Sequence, residues 1–126
     1  MFLRLELFVD DLEASLAFYT GALGFEEDHR SPGYAAIRNG SVLLGLGLAS
    51  GLPASHYFAP DALRRERGIG VEIVLEVDDL QACYERAAAA RARVVSPIRA
   101  QPWRAMDFRL ADPDGYYIRV TSSSGP

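Results

Sequence analysis

Arg4 and Glu72 hold the same place in two copies of one decapeptide: Leu3-Arg4-Leu5-Glu6-Leu7-Phe8-Val9-Asp10-Asp11-Leu12 returns as Val71-Glu72-Ile73-Val74-Leu75-Glu76-Val77-Asp78-Asp79-Leu80. Each copy alternates apolar and polar residues, the pattern of a half-buried strand, so Arg4, Glu6 and Phe8 share one face, as do Glu72, Val74 and Glu76. Tyr117, Arg119 and Thr121 take the same parity in the last apolar segment. A guanidinium is a planar fork of donors matched to a carboxylate, so Glu72 placed between Arg4 and Arg119 predicts a partly buried ion cluster. Two arginines against one glutamate leave one positive charge. Either Glu6 or Glu76 takes it up and the cluster is structural, or a ligand's carboxylate, phosphate or enolate neutralises it. For an enzyme the matching chemistry is proton abstraction beside a carbonyl, with Glu72 or Glu6 as base and the arginines stabilising an enolate.

The remaining reactive side chains carry less. Cys83, the single cysteine, falls on or near the apolar stripe of a predicted helix with no dedicated base beside it, and reads as a small core residue. His29 follows Glu26, Glu27 and Asp28 in a solvated charge run. His56, Tyr57 and Phe58 lie in a long connection, where they form a lid over a cleft or pin the connection to the body. Trp103 sits just before the penultimate predicted strand, where it stacks on a flat ligand or packs at a junction between modules or subunits.

Two strand-to-helix units must position these groups. In the first, Leu3, Leu5, Leu7 and Val9 form the helix-facing row. Asp10 with Glu13 predicts an N-cap and capping box, Leu12, Leu16, Tyr19 and Leu23 give the apolar stripe, and Gly24 ends the helix. A turn at Ser31-Pro32-Gly33, a strand over Tyr34 to Ile37, an Asn39-Gly40 hairpin and a strand over Val42 to Leu48 follow. The second unit repeats the plan, with Val71, Ile73, Leu75 and Val77 facing the helix and Asp78 with Gln81 as its capping box. Its helix runs to about Arg91, and strands are predicted over Arg93 to Val95, Met106 to Leu110 and Tyr117 to Thr121, with Asp112-Pro113-Asp114-Gly115 as the last tight turn. One such unit leaves a strand face bare, so pairing the two is what buries it. The boundaries read as module one over 2–50, a linker over 51–67 and module two over 68–122, all within one domain spanning 1–126.

A chain of 126 residues buries roughly two thirds of its unfolded surface and needs no covalent staples. One cysteine excludes an internal disulfide framework. Residues 1–20 lack a basic start with a long apolar run, and no window reaches 18 uncharged apolar residues, so export and membrane insertion are not expected and the cytoplasm is the expected compartment. A net charge of −4 with both signs interspersed offers no basic stripe for nucleic acid.

Paired strand-helix-strand-strand-strand units, Val-Asp-Asp-Leu after each opening strand, Pro102-Trp103-Arg104 and the C-terminal Asp-Pro-Asp-Gly-Tyr-Tyr-Ile-Arg-Val together resemble the vicinal oxygen chelate superfamily, which includes glyoxalase I, extradiol dioxygenases and bleomycin-resistance proteins. The resemblance covers about residues 2 to 121. It implies an α+β fold of two βαβββ modules with curled mixed sheets, helices outside and a cleft on the inner sheet faces. Enzymes of the superfamily hold a divalent metal there through His, Glu or Gln. The family's spacing puts those positions on Arg4, on Leu44 or Leu46, on Glu72 and on Arg119, of which only Glu72 is a possible ligand. No metal and no cofactor are therefore expected. The likeness is nearest the bleomycin-resistance branch and implies a homodimeric, metal-independent small-molecule binding protein that sequesters an amphipathic or anionic compound. Its ligand-binding residues would be Arg4, Glu6, Phe8, Glu72, Trp103, Tyr117 and Arg119. The alternative is a lyase, isomerase or dioxygenase of the same superfamily, with Glu72 as its catalytic residue.

Overall fold

The computed structural model describes residues 1–58, 67–100, 102 and 106–122. Strand β1 (Leu5–Val9) leads into helix α1 (Leu12–Gly21), then β2 (Glu26–Ser31), β3 (Tyr34–Asn39) and β4 (Val42–Leu48), closed by a 3-10 turn at Ala49–Gly51. The second module repeats the order with β5 (Ile73–Val77), α2 (Leu80–Ala89), β6 (Arg93–Ala100), β7 (Met106–Ala111) and β8 (Tyr117–Ser122). The two mixed four-stranded sheets run β1-β4-β3-β2 and β5-β8-β7-β6. β1 pairs in parallel with β4 and β5 with β8, while the other pairings are antiparallel, so the α+β fold of two βαβββ modules is what the chain forms.

The core follows from the alternation. Leu7 and Val9 of β1, Ile37 of β3 and Leu44 and Leu46 of β4 bury one sheet face beneath Leu16 and Tyr19 of α1. Ile73, Leu75, Phe108, Leu110, Ile118 and Val120 do the same beneath Leu80 and Ala87 of α2. All belong to one hydrophobic cluster, and dispersion with loss of apolar hydration holds it.

Several local expectations shift. Both N-caps move one residue on. Asp11 accepts from Ala14 N at 3.1 Å and Asp79 from Ala82 N at 3.0 Å, so neither predicted capping box forms. Asp10 is instead drawn to Arg67, and Gln81 bonds Glu85 on its own helix. The first strand begins at Leu5 rather than Leu3, and the charge run 26–31 is itself an edge strand, β2, exposed along its whole length. Charged side chains on such an edge discourage pairing with another chain. β6 extends to Ala100 through two register shifts, which accommodate Pro97 on an edge strand.

The modules are fastened through the turn between β7 and β8. Asp112 accepts from Tyr19 Oη at 2.8 Å and from the backbone of Asp114 and Tyr116, both at 2.9 Å. Asp114 accepts from Asp10 N at 2.9 Å and from Arg67 Nη1 at 3.0 Å. Arg86 of α2 donates to the carbonyls of Gly21 and Thr20 at the end of α1. Among the described residues no helix is long and apolar enough to cross a membrane.

Candidate functional site

The sheet face turned away from α1 carries Glu6 and Phe8 of β1 opposite Gly45 and Gly47 of β4, with Tyr34 across from Gly47 on β3. Tyr34 Oη donates to the Glu6 carboxylate at 3.0 and 3.1 Å, and Arg4 Nε pairs with Glu6 Oε1 at 2.8 Å. The glycine permits this. A Cβ on Gly45 would stand 1.8 Å from Glu6 Oε2 and 2.4 Å from Tyr34 Oη, so the tyrosine-glutamate contact lies across bare backbone. Burial first, then the hydrogen bond to Glu6, raise the Tyr34 phenol above its ordinary pKa. Phe8 meets His56 edge-on at 5.3 Å and Phe58 at 5.5 Å between ring centres, while Phe58 N donates to His56 Nδ1 at 3.0 Å. The aromatic trio of the connection is thus seated on this face, with Tyr57 left 88% exposed.

The corresponding face of module two is built on a buried acid. Asp107 is fully buried, with Arg109 Nη2 at 3.6 Å and Arg119 Nη1 at 3.9 Å. Arg119 stands opposite Arg109 in the β7–β8 register, and its Nε lies 3.1 Å from Glu72 Oε1. Arg109 Nη1 donates to Tyr117 Oη at 3.1 Å. Glu72 and Asp107 therefore flank a pair of guanidinium groups in a layer of alternating charge.

Sequence parity groups Arg4, Glu6 and Phe8 correctly on one face and Glu72, Tyr117 and Arg119 on another. Of the predicted Arg4–Glu72–Arg119 cluster only the Glu72–Arg119 pair forms. Arg4 pairs within its own module, 62% exposed, because Glu6 one pleat along offers the nearer carboxylate. Leu44 and Leu46, the counted ligand positions of the first module, face the core at 2% and 0% exposure, and the inner-face residue opposite Glu6 is Gly45. Trp103 lies outside the described residues. Asp107, Arg109 and Tyr34 join these faces without having been predicted. The alternation of Met106–Leu110, with Phe108 and Leu110 as its apolar members, carries the signal for the first two.

Cys83 is half-buried, and burial first, then Asp79, raises its thiol pKa, which disfavours the nucleophilic thiolate. Among the described residues no group of three or more His, Cys, Asp or Glu is placed to hold a metal ion.

The profile of the Glyoxalase/Bleomycin resistance protein/Dioxygenase superfamily matches residues 2–120. A glyoxalase/bleomycin resistance protein/dioxygenase from Nocardioides shares 31% identity at a TM-score of 0.77, over 97% of this chain and 82% of its own. TioX from Micromonospora sp. ML1 has the same fold at 20% identity and a TM-score of 0.78, over 97% and 98% of the two chains. Lactoylglutathione lyase from Agrobacterium tumefaciens does so at 23% identity and 0.72, over 98% and 93%. No curated protein matches the chain significantly.

Proposed function

Because the chain belongs to the glyoxalase/bleomycin resistance protein/dioxygenase superfamily, we propose that it is a metal-independent small-molecule binding protein that holds an amphipathic or anionic compound on its inner sheet faces. The observation that carries this is the donor set at the positions where the superfamily's enzymes place their metal. By the family's spacing they are Arg4, Leu44 or Leu46, Glu72 and Arg119; the leucines are buried in the core, and the one carboxylate among the four is ion-paired with Arg119. Guanidinium groups repel a divalent cation and are not deprotonated in proteins, so these residues do not fit the metal. Sequestration, unlike proton abstraction, needs no catalytic base.

A cytoplasmic homodimer is part of the proposal. β1 is a sheet edge, and the apolar residues leading into it, Phe2 and Leu3, are 98% and 75% exposed. Exposed apolar residues flanking a sheet edge favour an interface between copies. In such a dimer one copy's Glu6 and Phe8 would complete a cleft with the other's Glu72, Arg119 and Tyr117.

Elemental analysis of the purified protein, followed by melting curves with divalent ions and with anionic or aromatic compounds, tests the function. The expected result is no stoichiometric metal and a ligand-dependent rise in Tm in the presence of EDTA. Zinc, iron, manganese or nickel at full occupancy, lost on Glu72→Gln, would overturn it.

A further inference from the structure

Arg93 of β6 and Tyr117 of β8 both pair with Ala111 of β7, one from each side. By register the three share the inner face of module two, and the short alanine between two long side chains leaves a depression. It opens into a groove of about 810 Å3 whose other walls include Ile69, Val71 and Val95. These three are 74%, 58% and 52% exposed, and their meeting in one groove is what scattered surface hydrophobics do not do.

The charges at the groove are unequal in their commitments. Arg67 is bound to Asp10 and Asp114, with its side chain 7% exposed, and Asp114 is held by Arg67 and by Asp10 N. Arg93 lines the same groove and has no carboxylate within ion-pairing distance among the described residues. Tyr117 Oη receives its hydrogen bond from Arg109, which leaves the phenol proton to be donated outward.

We propose that this groove binds an amphipathic monoanion, with its carboxylate-type head received by Arg93 and Tyr117 and its hydrocarbon laid on Ile69, Val71 and Val95. This rests on the small-molecule function above and narrows it. The anion is met by Arg93 rather than by Arg4 or Arg119, each of which already faces an internal carboxylate. A single uncommitted guanidinium matches one negative charge, and a second would be carried toward Asp114 in the groove wall.

Titration calorimetry on EDTA-treated protein with decanoate, decanol and decyltrimethylammonium tests it. Decanoate should bind about tenfold or more tighter than decanol, the scale of one charge-assisted hydrogen bond, and the cation more weakly than either. Arg93→Gln should bring decanoate to the level of decanol, and Val71→Asp should weaken both, with circular dichroism showing both variants folded. Equal binding of decanoate and decanol, or wild-type decanoate affinity in Arg93→Gln, would overturn the inference. So would a groove that takes no probe while Val71→Asp turns a dimer into a monomer, since the occupant would then be a second copy. A metal found on Glu72 overturns the proposed function and leaves the Arg93 dependence standing. Loss of that dependence overturns only the assignment of the groove.

Discussion

Tyr116 closes the free edge of β1 at Phe8 with one hydroxyl: its Oη accepts from Phe8 N at 3.2 Å and donates to the Phe8 carbonyl at 3.0 Å. β4 occupies the other side of β1, so these main-chain groups would otherwise face outward unpaired. Arg67 Nη1 adds a second donor to the same carbonyl at 2.7 Å. The Tyr116 ring passes so near Gly68 that a Cβ there would lie 2.8 Å from it, and Gly68 itself has φ +72°, so glycine is required on both counts. One phenol thus joins the last turn of module two to the first strand of module one, next to the side chain that seats His56 and Phe58.

Tyr116→Phe keeps the ring and removes the hydroxyl. The half-buried Phe8 groups then lose a shared partner, which costs about 1–3 kcal/mol. Urea unfolding should show this loss, and hydrogen exchange should show the Phe8 amide opening faster with little change in the second sheet. An unchanged Phe8 exchange rate would mean that the edge is protected by something else.

Gly45→Ala tests the inner face of module one. The three atoms that its methyl would meet first all belong to the ends of side chains, Glu6 Oε2 and Cδ and Tyr34 Oη, so the fold survives by turning Glu6 aside. The Tyr34–Glu6 hydrogen bonds are then lost. Since that bond is one cause of the raised Tyr34 phenol, its titration followed by NMR should move down toward the ordinary tyrosine value, and Glu6→Gln should move it the same way. No movement in either variant would show that burial alone sets the shift.

Much of this was legible in the sequence because it is local. Strand alternation in Leu5–Val9 and Ile73–Val77 fixes which side chains share a face, and the repeat fixes two modules. Distance is not local. Parity places Arg4 and Glu72 on inner faces and says nothing of how far apart those faces stand, so Arg4 pairs with Glu6 instead. The N-cap shift has the same origin, since Asp10 is claimed by Arg67 from across the fold and its amide by Asp114. Arg67 lies in a connecting segment with no periodicity to mark it, yet its side chain is among the most buried charges in the protein.

The charge layer of module two ranks the arginines. Arg4→Gln breaks only an exposed pair and should change stability by under about 1 kcal/mol. Asp107→Ala leaves Arg109 and Arg119 facing each other over a site with no buried anion, and should cost about 3 kcal/mol, the scale for removing one partner of a buried ion pair. Chemical denaturation of the two variants side by side checks the order. Equal losses would mean that the buried acid is no keystone of the layer.

The pH dependence of stability should be read at Asp112. Burial raises its carboxyl above the ordinary 3.8, against the opposing hydrogen bonds from Tyr19, Tyr116 N and Asp114 N, and burial raises Asp114 likewise. A folded state that holds the proton more tightly than the unfolded chain has its full contribution below 3.8 and loses it as pH rises through the folded value. Asp112→Asn removes the ionisation, keeps a carbonyl for the two backbone donors and offers an N–H to Tyr19 Oη. Relative to the wild type, the variant should therefore gain stability as pH is raised from 3 to 7 in urea denaturation. A relative loss over that range would show that the three hydrogen bonds to the ionised form outweigh its desolvation.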